Sequence, residues 1–105
     1  MDEITRSVGS GGINRKDDVA TVQRLFNRGR RKSGIPREDL LVDGIVGPKT
    51  LAAIRDFQKK YLGKVDGVVE PHKQTIHKLN EIAGPLPELN DGVSYLEPKG
   101  PLGWA

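Results

Sequence analysis

The sequence contains no cysteine, few aromatic residues and no long apolar run, and each absence excludes a class of structure. Without cysteine, neither a disulfide framework nor a thiolate metal site can stabilise the fold. No stretch approaches the roughly 20 apolar residues that a transmembrane helix needs. At 105 residues the chain fits one small domain, which leaves little room for a large enclosed active site. We therefore expect stability to come from the packing of a few helices.

Catalytic and phosphate-binding patterns are also missing. The histidines, His72 and His77, are five residues apart, which is not the same-face spacing of a helical metal pair. The Gly- and Ser-rich run at residues 7–12 lacks the Gly-Lys-Ser/Thr that completes a P-loop. No nucleophile with a base, and no opposed carboxylate pair, has a recognisable spacing. We predict a protein without catalytic residues, cofactor or metal, whose function is binding.

The charge balance is mildly basic. The chain has 17 Lys and Arg against 14 Asp and Glu, a formal charge of +3. This excess falls short of the clustered charge typical of nucleic-acid-binding domains. The densest cationic run, Arg28–Lys32, contains no aromatic residue on which bases could stack. We predict a solvated loop there, and nucleic-acid binding through this run stays an alternative.

A seven-residue unit organises the chain because it occurs twice, as VDGIVGP at 42–48 and VDGVVEP at 65–71. In each copy Asp-Gly predicts a tight turn, since glycine accepts a positive φ and Asp bonds the backbone ahead. The proline then favours a helix start. The second copy has Glu in place of Gly, and two more residues separate its proline from the following threonine. The predicted turn residues are Asp43, Gly44, Gly47, Pro48, Asp66, Gly67 and Pro71.

Apolar residues at three- and four-residue steps predict helices near Arg15–Asn27, Pro48–Leu62 and Pro71–Ala83. Asn14 is the expected N-cap of the first helix and Gly29 its expected end. The predicted fold class is all-α, a small three-helix bundle built on two DG-x-x-x-P turn-plus-helix repeats. We expect no sheet beyond a short pairing of the segments before the two turns. The predicted core is Val19, Val22, Leu25, Phe26, Leu41, Ile45, Leu51, Ile54, Phe57, Ile76 and Leu79.

The two ends of the chain differ in composition from the helical part. Residues 1–12 are predicted to be a flexible Gly- and Ser-rich arm or a set of turns. Residues 13–83 form the predicted domain. Residues 84–105 hold four of the seven prolines and have no helical period. They predict an irregular tail, a linker or a strap on the domain, with Trp104 near its end.

These motifs resemble the peptidoglycan-binding domain family, the small three-helix modules attached to cell-wall hydrolases. The resemblance covers roughly residues 8–83. It rests on DV-x-x-VQ-x-L at 18–25, VDGIVGPKT at 42–50, AI-x-x-FQ at 53–58, and VDGVVEP at 65–71 followed by Thr75 and LN at 79–80. The opening SVGSGGIN and the run VQRLFN are also similar to the variant found in phage lysis proteins (endolysin-like) and in proteins linked to type VI secretion.

The resemblance implies a non-catalytic, monomeric module that recognises peptidoglycan, through its stem peptide or glycan, and targets a tethered or associated cell-wall-acting protein to murein. The partner would be a catalytic hydrolase domain or a secretion protein. The alternative is a protein–protein adaptor in a secretion-system or phage assembly. The start Met1–Arg6 lacks the pattern of a signal peptide. We therefore expect action at the bacterial cell wall or periplasm after non-classical delivery.

A ligand would meet polar residues beside the apolar stripes, near helix ends where backbone groups are free. Arg28 and Arg55 are expected to face stem-peptide carboxylates through charge-assisted hydrogen bonds. An alternative for Gln23 and Gln58 is that they bond the turns before the neighbouring helices. The predicted contact set is Gln23, Asn27, Arg28, Arg55, Gln58 and Tyr61.

Overall fold

The computed structural model describes residues 2–84, so the predicted tail from residue 85 onward, with Trp104, lies outside the described residues. Within residues 2–84 the chain forms helices α1 (Lys16–Ser33), α2 (Pro48–Tyr61) and α3 (Gln74–Ala83). Strands β1 (Val8–Gly9) and β2 (Val68–Val69) form a small antiparallel sheet. The predicted three-helix, all-α class is confirmed.

The helices of this part of the chain are too short or too polar to cross a membrane.

Helix α1 continues past its predicted end because Gly29 does not stop it. Gly29 is buried against α3, where a Cβ would lie 3.2 Å from Ile82 Cγ2 and 3.3 Å from the Ala83 backbone. The absence of a side chain thus lets the two helices approach closely. The left-handed C-cap is Gly34, with a φ of 74°. The cationic run, expected as a loop, is therefore part of the helix.

The starts of α1 and α3 also differ from the prediction. Asn14, the predicted N-cap, has a φ of 59° and holds the turn before the helix. Its Oδ1 accepts the Gly9 N–H at 2.7 Å, and its Nδ2 donates to the Gly9 carbonyl at 3.1 Å. Helix α3 begins at Gln74 and not at Pro71, because the longer second turn continues through His72, whose φ is 62°. Only α2, with Pro48 in its first turn, begins as predicted.

The buried core contains most of the predicted residues. The prediction is wrong for Leu41 and Ile45, whose exposed fractions are 76% and 65%. Successive side chains of an extended segment point to opposite sides, and Leu40 takes the buried position, so Leu41 faces solvent. Ile45 turns its carbonyl inward, where it accepts from Gln23, and its side chain points out. Leu51 is half-buried. The buried apolar residues are Ile4, Val8, Val19, Val22, Leu25, Phe26, Leu40, Ala53, Ile54, Phe57, Val69, Ile76 and Leu79.

The N-terminal segment forms turns and a strand that pack on the bundle. Its strand pairs Val8 with Val69, so the sheet joins the arm to the residues after the second turn, and the expected pairing of the segments before the two turns is wrong. Ile4 and Val8 are buried in the core. The packed region thus extends to the start of the described residues, while the boundaries at 12 and 84 stay predictions.

The carboxylate of Asp18, in the first turn of α1, anchors this segment. It accepts the Thr5 N–H at 2.9 Å, the Thr5 hydroxyl at 2.9 Å and the Arg6 N–H at 3.0 Å. Burial acts to raise the pKa of Asp18, but the hydrogen bonds from Thr5 and Arg6 outweigh it and hold the pKa below the ordinary 3.8. The ionised form is therefore the one that the fold favours.

The packing of Phe57 in the core leads to a prediction about stability. Phe57 is 1% exposed and its ring meets Phe26 edge to face, 5.6 Å between centroids. We expect Phe57→Ala to lower the free energy of unfolding by about 3–5 kcal/mol, measured by urea denaturation. Leu41→Ala, at an exposed position, is the matched control and should change it by less than about 0.5 kcal/mol. Equal stability of Phe57→Ala and the parent would contradict this packing.

Asp18 predicts a dependence of stability on pH. Because its pKa is lowered in the folded state, its carboxylate stabilises the fold above the unfolded-state value, and this stabilisation is lost as the pH falls through the folded-state pKa. Asp18→Asn should lower the free energy of unfolding at pH 7 by about 1–3 kcal/mol and flatten its decline below pH about 4. Asp56→Asn, at an exposed position on α2, is the control. An unchanged acid profile in Asp18→Asn would exclude this role.

Candidate functional site

The first repeat is built around the amide of Gln23, which is 1% exposed. Its Oε1 accepts the N–H groups of Asp43 and Gly44 at 3.1 and 3.0 Å. Its Nε2 lies 3.0 Å from Asp43 Oδ1, 3.0 Å from the Ile45 carbonyl oxygen and 3.1 Å from Thr50 Oγ1. One buried amide on α1 therefore fixes the turn and the first turn of α2.

The second repeat uses the same five contacts around Gln58, which is 2% exposed. Its Oε1 accepts the N–H groups of Asp66 and Gly67 at 3.2 and 2.9 Å. Its Nε2 lies 2.8 Å from Asp66 Oδ1, 3.0 Å from the Val68 carbonyl oxygen and 3.1 Å from Thr75 Oγ1. This is the geometry that the structural alternative for the two glutamines predicts, since both amides are fully used inside the protein.

The turn carboxylates are held in their ionised form. The Ile45 N–H donates to Asp43 Oδ1 at 3.0 Å, and this bond, followed by the one from Gln23, lowers the pKa of Asp43. The pKa of Asp66 is lowered first by the bond from the Val68 N–H, at 3.1 Å, and its burial opposes this only in part. Both carboxylates serve the turns and are poor proton donors at neutral pH.

Two more residues of the predicted contact set bind other parts of the chain. The amide of Asn27 pairs with the backbone of Leu40, donating to its carbonyl at 2.9 Å and accepting its N–H at 2.7 Å. Arg28 joins the N-terminal segment to the end of α3: its Nη2 is 2.9 Å from Asp2 Oδ2 and donates to the Gly84 carbonyl at 2.9 Å. These side chains hold the segment before the first turn and the end of α3.

Arg55 and Tyr61 are the predicted contacts that face the surface. Arg55 is exposed on α2, beside the second turn, where a Cβ on Gly67 would lie 3.1 Å from its Nε. Tyr61 is half-buried, and the ammonium nitrogens of Lys60 and Lys78 lie 5.4 and 5.8 Å from its ring centroid. The structure therefore does not bring the six predicted residues together on one surface.

Two of the four cations in the run at the end of α1, Arg28 and Arg30, also bind other parts of the protein. The Arg30 guanidinium donates to the carbonyls of Pro36 and Arg37, and its Nη1 lies 3.8 Å from Asp39 Oδ1. Arg28 is paired with Asp2. The exposed cations left in the run are Arg31 and Lys32, and two charges are a weak basis for a nucleic-acid surface.

Two surface grooves lie at equivalent places in the two repeats. The first groove, about 450 Å³, lies between the first turn and α2 and is lined by the exposed side chains of Leu41 and Ile45. The second groove, about 440 Å³, lies between the second turn and α3, and its main lining residues are Leu62, Lys64, Val68, Glu70, Lys73 and Gln74. The sequence prediction missed both grooves, although the differences between the two copies mark the residues that distinguish them.

A shallower depression adjoins the second groove and shares Leu62, Lys73 and Gln74 with it. It adds Tyr61, together with the exposed His77. Tyr61 is thus the predicted contact whose side chain borders this part of the surface.

We expect the domain to lose stability when the buried amide of Gln58 or Gln23 is removed. Gln58→Ala removes the acceptor of the buried Gly67 N–H, and leaving buried groups unpaired should lower the free energy of unfolding by at least about 2 kcal/mol. Gln23→Ala should have a similar effect, because Gln23 makes the equivalent bonds. Gln74→Ala, at an exposed position, is the matched control. Denaturation that shows no difference among these variants would contradict the structural role of the amides.

Comparisons with known proteins place these repeats in a family. The model of the family described as "Putative peptidoglycan binding domain" matches residues 15–72, which include α1, α2 and both turns. Neither a comparison with curated proteins nor one with solved structures gave a match. Since the matched region covers more than half of the chain, the protein belongs to the peptidoglycan-binding domain family, as the sequence motifs indicated.

Proposed function

We propose that this domain is a non-catalytic module that binds bacterial peptidoglycan and brings a tethered or associated cell-wall-acting protein to murein. The observation that carries the proposal is the family match over residues 15–72. The commitment of Asp43 and Asp66 to the turns supports a role in binding, because neither carboxylate is free to act as a general acid. The work of such a module is to raise the local concentration of its partner at the cell wall or in the periplasm.

The second groove is our proposed ligand site. Its exposed cations, Lys64 and Lys73, can form charge-assisted hydrogen bonds with the free carboxylates of stem peptides. From the predicted contact set we keep Tyr61, which borders the groove, and Arg55, which lies beside the second turn. We assign structural roles to the other members of that set, Gln23, Asn27, Arg28 and Gln58.

The adaptor in a secretion-system or phage assembly stays as a second candidate because of the first groove. Leu41 and Ile45, which line it, are 76% and 65% exposed. Neighbouring exposed apolar side chains of this kind are typical of protein contact surfaces. Such a contact is compatible with a ligand in the second groove, since the two grooves belong to different turns.

Co-sedimentation of the full chain with purified sacculi tests the proposed function. We expect the protein to be retained, and Lys64→Leu to bind about tenfold more weakly through the loss of one charge-assisted hydrogen bond. The variant should fold normally, because leucine occupies the corresponding position of the first copy, Leu41. Lys32→Leu, at the exposed end of α1, is the control and should bind like the parent.

Other results would move the assignment elsewhere. Release of soluble muropeptides by the purified chain, abolished by a point substitution in it, would contradict a non-catalytic module. Loss of retention in Ile45→Asp with normal retention of Lys64→Leu would move the site to the first groove. An absence of retention by the parent would favour the adaptor.

A further inference from the structure

Charged side chains of both signs line the second groove: Lys64, Glu70 and Lys73. All three are exposed, and none of them pairs with an opposite charge within residues 2–84. The remaining charged residue of the groove, Asp66, already accepts hydrogen bonds from Gln58 and the Val68 N–H. Only Oδ1 of Asp66 takes part in those bonds, so the groove presents two ammonium groups, the whole carboxylate of Glu70 and the second oxygen of the exposed Asp66 carboxylate.

The first repeat shows that the fold does not need these charges. Its frame of bonds around Gln23 is the same, yet Leu41 stands at the position of Lys64, and Gly47 at that of Glu70. Lys73 lies in the connection from Pro71 to Thr75, which is two residues longer than that from Pro48 to Thr50, and it is the N-cap residue of α3, whereas the N-cap of α2 is the uncharged Gly47. Since the same turn forms without the charges, their role concerns the surface and what it binds.

We infer that the second groove selects a peptide ligand that carries a free carboxylate and a free amine, and that Glu70 is the specificity residue that recognises the amine; this inference rests on the proposed function. The half-buried side chains of Leu62 and Val68 supply an apolar floor for small aliphatic groups such as alanine methyls. Lys64 and Lys73 pair with the carboxylate. A peptidoglycan stem peptide with an unmodified diamino acid has these groups, whereas a neutral glycan segment would leave the charges unpaired, which disfavours it.

The test uses chemically modified sacculi with the full chain. One portion of sacculi with free stem-peptide amines is acetylated on those amines, which removes the ammonium charge and leaves the carboxylates. We expect the parent to bind native sacculi about tenfold more tightly than acetylated sacculi. Glu70→Gln, which keeps the shape of the side chain and removes its charge, should bind both preparations with the same, weaker affinity. Glu38→Gln changes another exposed carboxylate, one that does not line the groove, and should keep the full difference.

The outcomes separate this inference from the function on which it rests. Retention of the parent that is equal on native and acetylated sacculi, or a Glu70→Gln protein that still distinguishes them, would overturn the role of Glu70 and leave peptidoglycan binding standing. No retention of the parent on native sacculi would contradict the proposed function and this inference together. Thermal unfolding of Glu70→Gln should match that of the parent, since the residue is exposed.

Discussion

A buried glutamine amide that holds the turn before the next helix is the contact on which this structure depends. Glutamine suits the position because its side chain carries an acceptor oxygen and a two-proton donor nitrogen at one end. The oxygen binds two turn N–H groups, and the nitrogen faces the turn carboxylate, a backbone carbonyl and a threonine hydroxyl. A glutamate could not donate, and an apolar residue would leave those groups unpaired in the interior, where they are costly.

This contact occurs twice, and together the two copies position the three helices relative to one another. Gln23 on α1 positions the start of α2, and Gln58 on α2 positions the start of α3, so each helix orients the one that follows it. The N-terminal segment then closes the structure. It is bound to α1 through Asp18, to β2 through the small sheet, and to α3 through Asn80, whose amide pairs with the backbone of Asp2. A small domain without disulfides is thus stabilised by its apolar core together with buried polar side chains whose hydrogen bonds are satisfied.

The same frame allows the outer faces of the two repeats to differ. The groups that hold each turn point inward, so the residues on the outside can change without loss of the turn. Leu41 and Gly47 of the first copy are replaced by Lys64 and Glu70 in the second, and the exposed Ile45 of the first copy is replaced by the half-buried Val68. One fold therefore offers an apolar groove and a charged groove, which is the basis for assigning them different ligands.

The presence of three helices, the two turns and the family could be predicted from the sequence, because they follow from local rules: a 3.6-residue apolar period, Asp-Gly turn chemistry and proline at a helix start. The sequence also led to the alternative in which Gln23 and Gln58 bond the turns. It could not determine which side of an extended segment faces the core, so Leu41 and Ile45 were placed wrongly. Nor could it show that Gly29 allows α1 and α3 to approach closely, since the contacting residue, Ala83, is distant in sequence. The grooves could not be predicted either, because each forms only where a turn packs beside the helix that follows it.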